Sequence, residues 1–320
     1  VTTRTAPGYV LTVGETMALF AATTTGPLAH CPSTTLGIGG SESNVAIGLA
    51  RLGVPVVWCG RTGDDSLGEL VRREIRAEGV DVRSVLDPAA ATGLMVKERP
   101  TATSQRVTYY RAGSAGSRVE PGDVGNDLVR DAALVHLSGI TAAVSVSGRA
   151  TVRSVLERAR AAGVATSFDV NHRRALWTDE AAADHLREVL GLVDVVFAGE
   201  DEARLVLPGV EAPHDLARGL VDLGAGAAVV KCGERGAVAL TGEGPTRMPA
   251  VPVDVVDTVG AGDAFVAGYL AELVGGADVT TALSTAVTTG AFACTVAGDW
   301  EGFPRRRDFE LLRATEPVVR

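Results

Sequence analysis

Cysteine is sparse in this chain: Cys31, Cys59, Cys232 and Cys294 are widely scattered, with no C-x-x-C pair and no histidine at metal-ligand spacing. That scatter excludes a disulfide framework and a zinc site, and predicts the reduced thiols of a cytoplasmic protein. Long apolar runs are missing too. None approaches the ~18 residues of a membrane span, and residues 1–10 lack the charged start and apolar core of a signal peptide. Positive charge is in deficit, with 30 Lys and Arg against 39 Asp and Glu for a net charge of -9. This balance argues against nucleic acid or an anionic membrane as the main partner. An anionic ligand would need positive potential built locally. The G-x-x-x-x-G-K-[ST] phosphate loop is absent, and so is a G-x-G-x-x-G turn after the first strand, which ends at Gly14-Glu15.

Glycine, by contrast, is plentiful at 38 residues among 320, while aromatics are only 4%. Close backbone approaches and frequent turns are expected. Short β-branched runs alternate with longer helical patterns. Tyr9–Val13, Val56–Cys59, Leu134–Leu137, Ala165–Asp169, Val193–Phe197 and Ala227–Lys231 read as buried strands. Asn44–Leu52, Ser66–Glu78, Ser147–Ala162, Ala181–Leu190 and His214–Leu223 read as helices. Gly53, Gly79, Gly163 and Gly224 are placed to end helices as C-terminal caps. The alternation predicts a single α/β domain over 1–320: a doubly wound, mostly parallel sheet with helices on both faces. Two inserts break it. Thr16–Gly37 and Thr92–Arg111 hold strand-like pieces without an intervening helix, and are read as a small β-sheet lid that would exclude water. Two ordinary long loops are the other reading. Arg305–Arg307 is read as decoration of a C-terminal helix surface.

The strongest local signal is Asp257-Thr258-Val259-Gly260-Ala261-Gly262-Asp263-Ala264-Phe265, leading into the apolar stretch Phe265–Val274. Glycines at 260 and 262 let backbone amides point outward at a helix N-terminus, where unpaired N–H groups and the dipole attract anionic oxygen. Asp263 brings a carboxylate to the same point. Such an arrangement suits phosphoryl transfer: amides of Gly260, Ala261 and Gly262 form an anion hole, and Asp263 orients a hydroxyl and accepts its proton. A helix N-terminus holds a carboxylate ionised, so Asp263 is expected to be a weak base. A plain N-cap in a glycine-rich loop is the alternative. A second signal, Gly39-Gly40-Ser41-Glu42-Ser43-Asn44-Val45-Ala46, opens another helix, and Asn44 can offer donor and acceptor to hydroxyls.

Together these motifs resemble those of the ribokinase-like (PfkB) family of carbohydrate kinases, as do Gly60-Arg61-Thr62-Gly63-Asp64-Asp65 and Gly79-Val80-Asp81. The resemblance implies a doubly wound α/β core with a β-sheet lid, ATP and Mg²⁺ as cofactors, and Asp263 as the catalytic base. Within the family the chain is similar to 2-keto-3-deoxygluconate kinases at Tyr109-Tyr110-Arg111, Phe168-Asp169-Val170-Asn171-His172-Arg173, Leu176-Trp177 and Gly298-Asp299-Trp300-Glu301-Gly302. Alternation along extended backbone would place Tyr109 with Arg111, and Asn171 with Arg173. Two converging arginines suit a sugar acid, since guanidinium grips carboxylate in bidentate fashion.

By the resemblance, Gly40, Ser41, Asn44, Tyr109, Arg111, Arg173, Asp263 and Asp299 contact the sugar. Lys231, Gly233, Gly236, Gly260, Ala261 and Gly262 contact the nucleotide, with Asn171 near the phosphates and Arg173 able to face them. Many relatives carry Asn-x-x-Glu where this chain has Gly199-Glu200-Asp201-Glu202, so Glu202 would support metal through water. Met95 stands where those kinases commonly show tyrosine. Fructose, ribose or tagatose are alternative substrates, and a non-catalytic sugar or nucleotide sensor is an alternative of another class. An exposed edge on the lid sheet offers a route to pairing with a second copy.

Overall fold

The computed structural model describes residues 8–101 and 104–312. The reading of the amino terminus falls partly outside them, at residues 1–7, as does the tip of the second insert at 102–103. In chain order the strands and helices are β1 (Val10–Val13), β2 (Met17–Thr25), β3 (Thr34–Gly39), α1 (Ser41–Arg51), β4 (Val56–Gly63), α2 (Ser66–Ala77) and β5 (Asp81–Asp87). Next come β6 (Leu94–Thr101), β7 (Ser104–Tyr110), α3 (Asn126–Arg130), β8 (Leu134–Ser138), α4 (Gly139–Val144), α5 (Val146–Ala161), β9 (Ala165–Asp169) and α6 (Asp179–Val189). The rest are β10 (Val195–Gly199), α7 (Glu200–Arg204), α8 (Pro213–Asp222), β11 (Ala227–Lys231), β12 (Ala237–Thr241), β13 (Gly244–Met248), α9 (Ala261–Val274) and α10 (Val279–Cys294).

A nine-stranded sheet runs in the order β13-β12-β11-β10-β9-β8-β1-β4-β5. From β11 to β5 every pair is parallel, and β12 and β13 close one edge antiparallel. Because side chains alternate along a strand, Val10 enters the core under α1, α9 and α10, while Leu11 enters the opposite core under α5, α6 and α8. Burial on both faces explains why these strands read as continuous apolar runs. Strand order reverses between β1 and β8, with β4 and β5 built outward on one side and β9 to β11 on the other. A parallel sheet leaves a crevice at the carboxyl ends of strands where the order reverses.

Both inserts contribute to a separate four-stranded sheet of order β3-β2-β6-β7. Within it β2 and β6 run parallel, and β3 and β7 flank them antiparallel. Met17, Leu19 and Met95 form its own buried apolar cluster. The capping glycines sit as expected, with left-handed φ of 84° at Gly53, 88° at Gly79, 65° at Gly163 and 122° at Gly224. Residues 305–307 are exposed, in keeping with the surface reading, and Arg306 also makes specific contacts. Its Nη1 pairs with Glu272 at 2.6 Å and its Nε donates to the Leu52 carbonyl at 3.0 Å, so it fastens the chain's end to α9 and α1. Among the described residues no helix is long and apolar enough to cross a membrane.

Candidate active site

At the reversal point the chain leaves β1 through Gly14-Glu15, and two adjoining cavities open over the carboxyl ends of the strands. One is walled by residues that include Glu15, Gly40, Ser41, Asn44, Ile140 and Arg111. The other is walled by Lys97, Asp169, Asn171, Glu202, Lys231 and Gly262 among others. Tyr109, Arg173, Gly260, Asp263 and Asp299 belong to both walls. The small sheet supplies Leu19, Met95, Lys97, Val107 and Tyr109 as a roof over the second cavity.

Asp263 occupies the first turn of α9, and is 8% exposed. Its Oδ1 accepts a hydrogen bond from Ser41 Oγ at 2.8 Å, and its Oδ2 accepts from Asn44 Nδ2 at 2.9 Å. Asn171 Nδ2 in turn donates to Ser41 Oγ at 2.8 Å. Ser41 and Asn44, read from the sequence as sugar contacts, therefore grip the carboxylate while also lining the first cavity. Burial pushes the Asp263 carboxyl above its usual range, against the hydrogen bonds from Asn44 and Ser41. The weak base expected from the helix N-terminus alone is thus corrected: desolvation wins, and the ionised carboxylate is the more basic for it.

Gly260 makes the turn into α9 with φ of 76°, and a Cβ there would lie 1.8 Å from the Asp299 carbonyl oxygen. Only glycine satisfies both conditions. The amide of Ala261 reaches back to Thr258 O at 3.3 Å, whereas those of Gly260, Gly262 and Asp263 have no backbone acceptor among the described residues. Lys231 Nζ donates to both oxygens of Asp169, at 2.8 and 3.0 Å, and a Cβ on Gly262 would stand 3.7 Å from that nitrogen. Burial disfavours the ammonium, but Asp169 and Glu202 outweigh it and raise the Lys231 pKa.

The segment after β9 is not extended, which corrects the alternation argument for it. Asn171 has a left-handed φ of 39°, a conformation asparagine tolerates better than most side chains. Asn171 and Arg173 still reach a common cavity, but through a turn. Arg173 is exposed and has no ion-pair partner among the described residues, and it lowers the Asp263 pKa from a distance. Arg111 differs. It lies just past β7, is buried, and its Nε donates to Glu15 Oε2 at 2.8 Å while Nη2 lies 2.5 Å from the same oxygen. Glu15 also accepts a short hydrogen bond from Ser114 Oγ. The sequence reading missed Glu15; a carboxylate directly after a buried strand, at the end of β1, was the signal available.

Gly233 and Gly236 line neither cavity. Gly236 instead makes the β11–β12 turn, where a Cβ would meet Met248 O at 2.0 Å. Glu202 reaches the second cavity, yet its oxygens accept the amides of Gly199 at 2.6 Å and His172 at 2.9 Å. His172 Nε2 pairs with Asp179 Oδ1 at 2.8 Å, and Trp300 Nε1 donates to Ile38 O at 3.1 Å. Among the described residues no group of three or more His, Cys, Asp or Glu side chains could hold a metal unaided. Asp169 and Glu202 share one cavity wall, but their oxygens are engaged by Lys231 and by backbone amides, so they fit a Mg²⁺ ion reached through its waters, with substrate phosphates completing the shell.

Known proteins of the same architecture bear on this geometry. A 2-dehydro-3-deoxygluconokinase of Bacillus subtilis (strain 168) is 36% identical, covering 97% of this chain and 96% of that one. A 2-dehydro-3-deoxygluconokinase of Thermoproteus tenax is 38% identical over 95% of this chain and 94% of its own length. A solved structure of a putative ribokinase II from E. coli in complex with ATP and Mg²⁺ superposes with a TM-score of 0.87 at 26% identity, covering 96% of this chain and 99% of the other. The fold is ribokinase-like, as the motifs implied. Residues 8–306 match the family described as pfkB family carbohydrate kinase, so this chain belongs to that family and is an ATP-dependent sugar kinase.

Proposed function

We propose that the chain transfers the γ-phosphoryl group of ATP to a hydroxyl of a sugar acid, 2-keto-3-deoxygluconate, giving 2-keto-3-deoxy-6-phosphogluconate. One observation carries the reading: Asp263 stands in the shared wall of the two cavities, at the N-terminus of α9. The sugar occupies the cavity bounded by Gly40, Ser41, Asn44, Tyr109 and Arg111, and the phosphates occupy the one bounded by Lys231, Asn171 and Gly262. Asp263 orients the acceptor hydroxyl and takes its proton. In a loose transition state that proton leaves late, so placement by Ser41 and Asn44 matters as much as basicity. The amides of Gly260 and Gly262 receive charge on the transferring group, with Ala261 in a lesser part because its N–H is engaged. Mg²⁺, when bound with ATP, supplies charge neutralisation between the phosphates. Asp169 holds the Lys231 ammonium at the phosphates, and Glu202 acts on the metal's waters.

Arg173 is the cation for the substrate carboxylate, since among the described residues its guanidinium has no carboxylate partner, only the His172 carbonyl at 3.4 Å, and it reaches both cavities. Glu15 neutralises Arg111, which favours a second reading: a neutral sugar whose hydroxyls meet Glu15 and Arg111. The small sheet serves as the lid of a single kinase domain. Its exposed Leu36 and Tyr110, together with its open edges, offer a face for a second copy. The need for ATP and the four free cysteines support a cytoplasmic location.

Phosphorylation of 2-keto-3-deoxygluconate measured beside fructose, ribose and tagatose tests the assignment. Preference for the sugar acid by at least tenfold in kcat/KM is the expected outcome, and preference for a neutral sugar rejects it. ATP turnover that ignores every sugar would instead favour a sensor.

A further inference from the structure

Lys97 lies on β6 of the small sheet, among the apolar Leu19, Met95 and Val107 of the roof, and only 6% of it is exposed. Its Nζ donates to Asp257 Oδ2 at 2.8 Å and stands 3.6 Å from Asp299 Oδ1. Asp257 opens the turn into α9. Its Oδ1 accepts the Val259 amide at 3.1 Å, and its Oδ2 also accepts the Gly298 amide at 3.3 Å. One carboxylate therefore joins the roof, the turn that leads to Gly260, and the loop whose Asp299 carbonyl packs under Gly260. Desolvating an ammonium and a carboxylate costs nearly as much as their attraction returns, so such a pair is weak evidence for stability. A methionine would fill the same apolar roof. The use of charge there points to placement of the turn.

We propose that Lys97 is a positioning residue for phosphoryl transfer: reaching down from the small sheet to Asp257, it sets the turn 257–260 so that the amides at the start of α9 meet the transferring group. The proposal rests on the phosphate cavity assigned above. It differs from a direct phosphate contact, because Lys97 acts through Asp257 and the effects of the two residues must be coupled.

A double-mutant cycle reads that coupling. Lys97→Met, Asp257→Asn, the double variant and Lys97→Arg are compared for kcat and KM with the sugar that wild type phosphorylates. We expect Lys97→Met to lower kcat by about 10–100-fold with KM for the sugar changed less than about threefold, the pattern of an interaction made in the transition state. The double variant should be no worse than Lys97→Met within about threefold, as coupled neighbours behave. Lys97→Arg, which keeps the charge, should recover about tenfold of the loss. Losses in the double variant that multiply, or a kcat for Lys97→Met within twofold of wild type, overturn the proposal.

Hydrogen exchange supplies a readout that needs no sugar. The Val259 amide should exchange about tenfold faster or more in Lys97→Met while amides within α9 keep their protection. Unchanged exchange at Val259 also overturns the proposal. If wild type phosphorylates none of the sugars, the substrate assignment fails while this measurement still decides the role of Lys97.

Discussion

Around Asp263 the chemistry is set by contacts between residues far apart in the chain, and the tests at this scale are substitutions of single side chains. Asp263→Asn keeps the shape but cannot accept a proton, so kcat should fall by about 10²–10⁴, the range for a positioned base. Steady-state kinetics at saturating ATP check this, and near-normal turnover would remove Asp263 from the role. Asp299 gives a test with a sign. Burial pushes its carboxyl up to about 6, opposed by Lys97 and reinforced by Glu301 and Asp263. Between the unfolded value and about 6 the folded chain holds a proton that the unfolded chain has released, so stability falls as pH rises through this window. Above it the deficit is constant. Asp299→Asn should therefore raise stability by about 1–2 kcal/mol at pH 8 and by less at pH 5. Thermal unfolding at both pH values would show equal shifts if the idea is wrong. Asp263, Ser41, Asn44 and Gly260 were legible because each belongs to a short motif with its own local logic. Glu15, Lys97 and the supporting role of Asp257 were not, because their partners lie 96, 160 and 160 positions away for Arg111–Glu15, Lys97–Asp257 and its converse. A lysine sharing the parity of Met95 on a strand was the visible hint.

At the level of elements, the turn into α9 is the least forgiving. Gly260→Ala would need a left-handed backbone and would drive a methyl into the Asp299 carbonyl, so we expect a loss of about 2 kcal/mol or more. Activity should fall with it; a variant with wild-type melting and turnover would show that the turn yields easily. Strands buried on both faces were readable as apolar runs, and β9 and β11 sit at the expected limits. Helix α10 was not found in the sequence. Val279–Cys294 is rich in threonine, which stiffens χ1 and favours strands, and it has no polar stripe to mark a helix period. It forms by packing against α9, itself buried nearly all round. Strand β3 closes the first insert, and only the pairing with β2 makes its exposed threonines a strand.

For the whole molecule, the small sheet presents Leu36 at 52% and Tyr110 at 62% exposure on strands whose outer edges have no strand partner among the described residues. Exposed apolar side chains beside open edges favour self-association. Sedimentation velocity should find a dimer that Leu36→Glu converts to monomer, and a monomeric wild type would end the idea. The proposed base joins distant parts of the chain: Asp263 belongs to α9, while Ser41 and Asn44, which hold it, lie 222 and 219 positions earlier. A nascent chain therefore has the sugar-side helix long before it has the carboxylate. On the proposed mechanism the site is complete only once α9 has been made and has packed against α1, so the capacity for phosphoryl transfer comes late in synthesis.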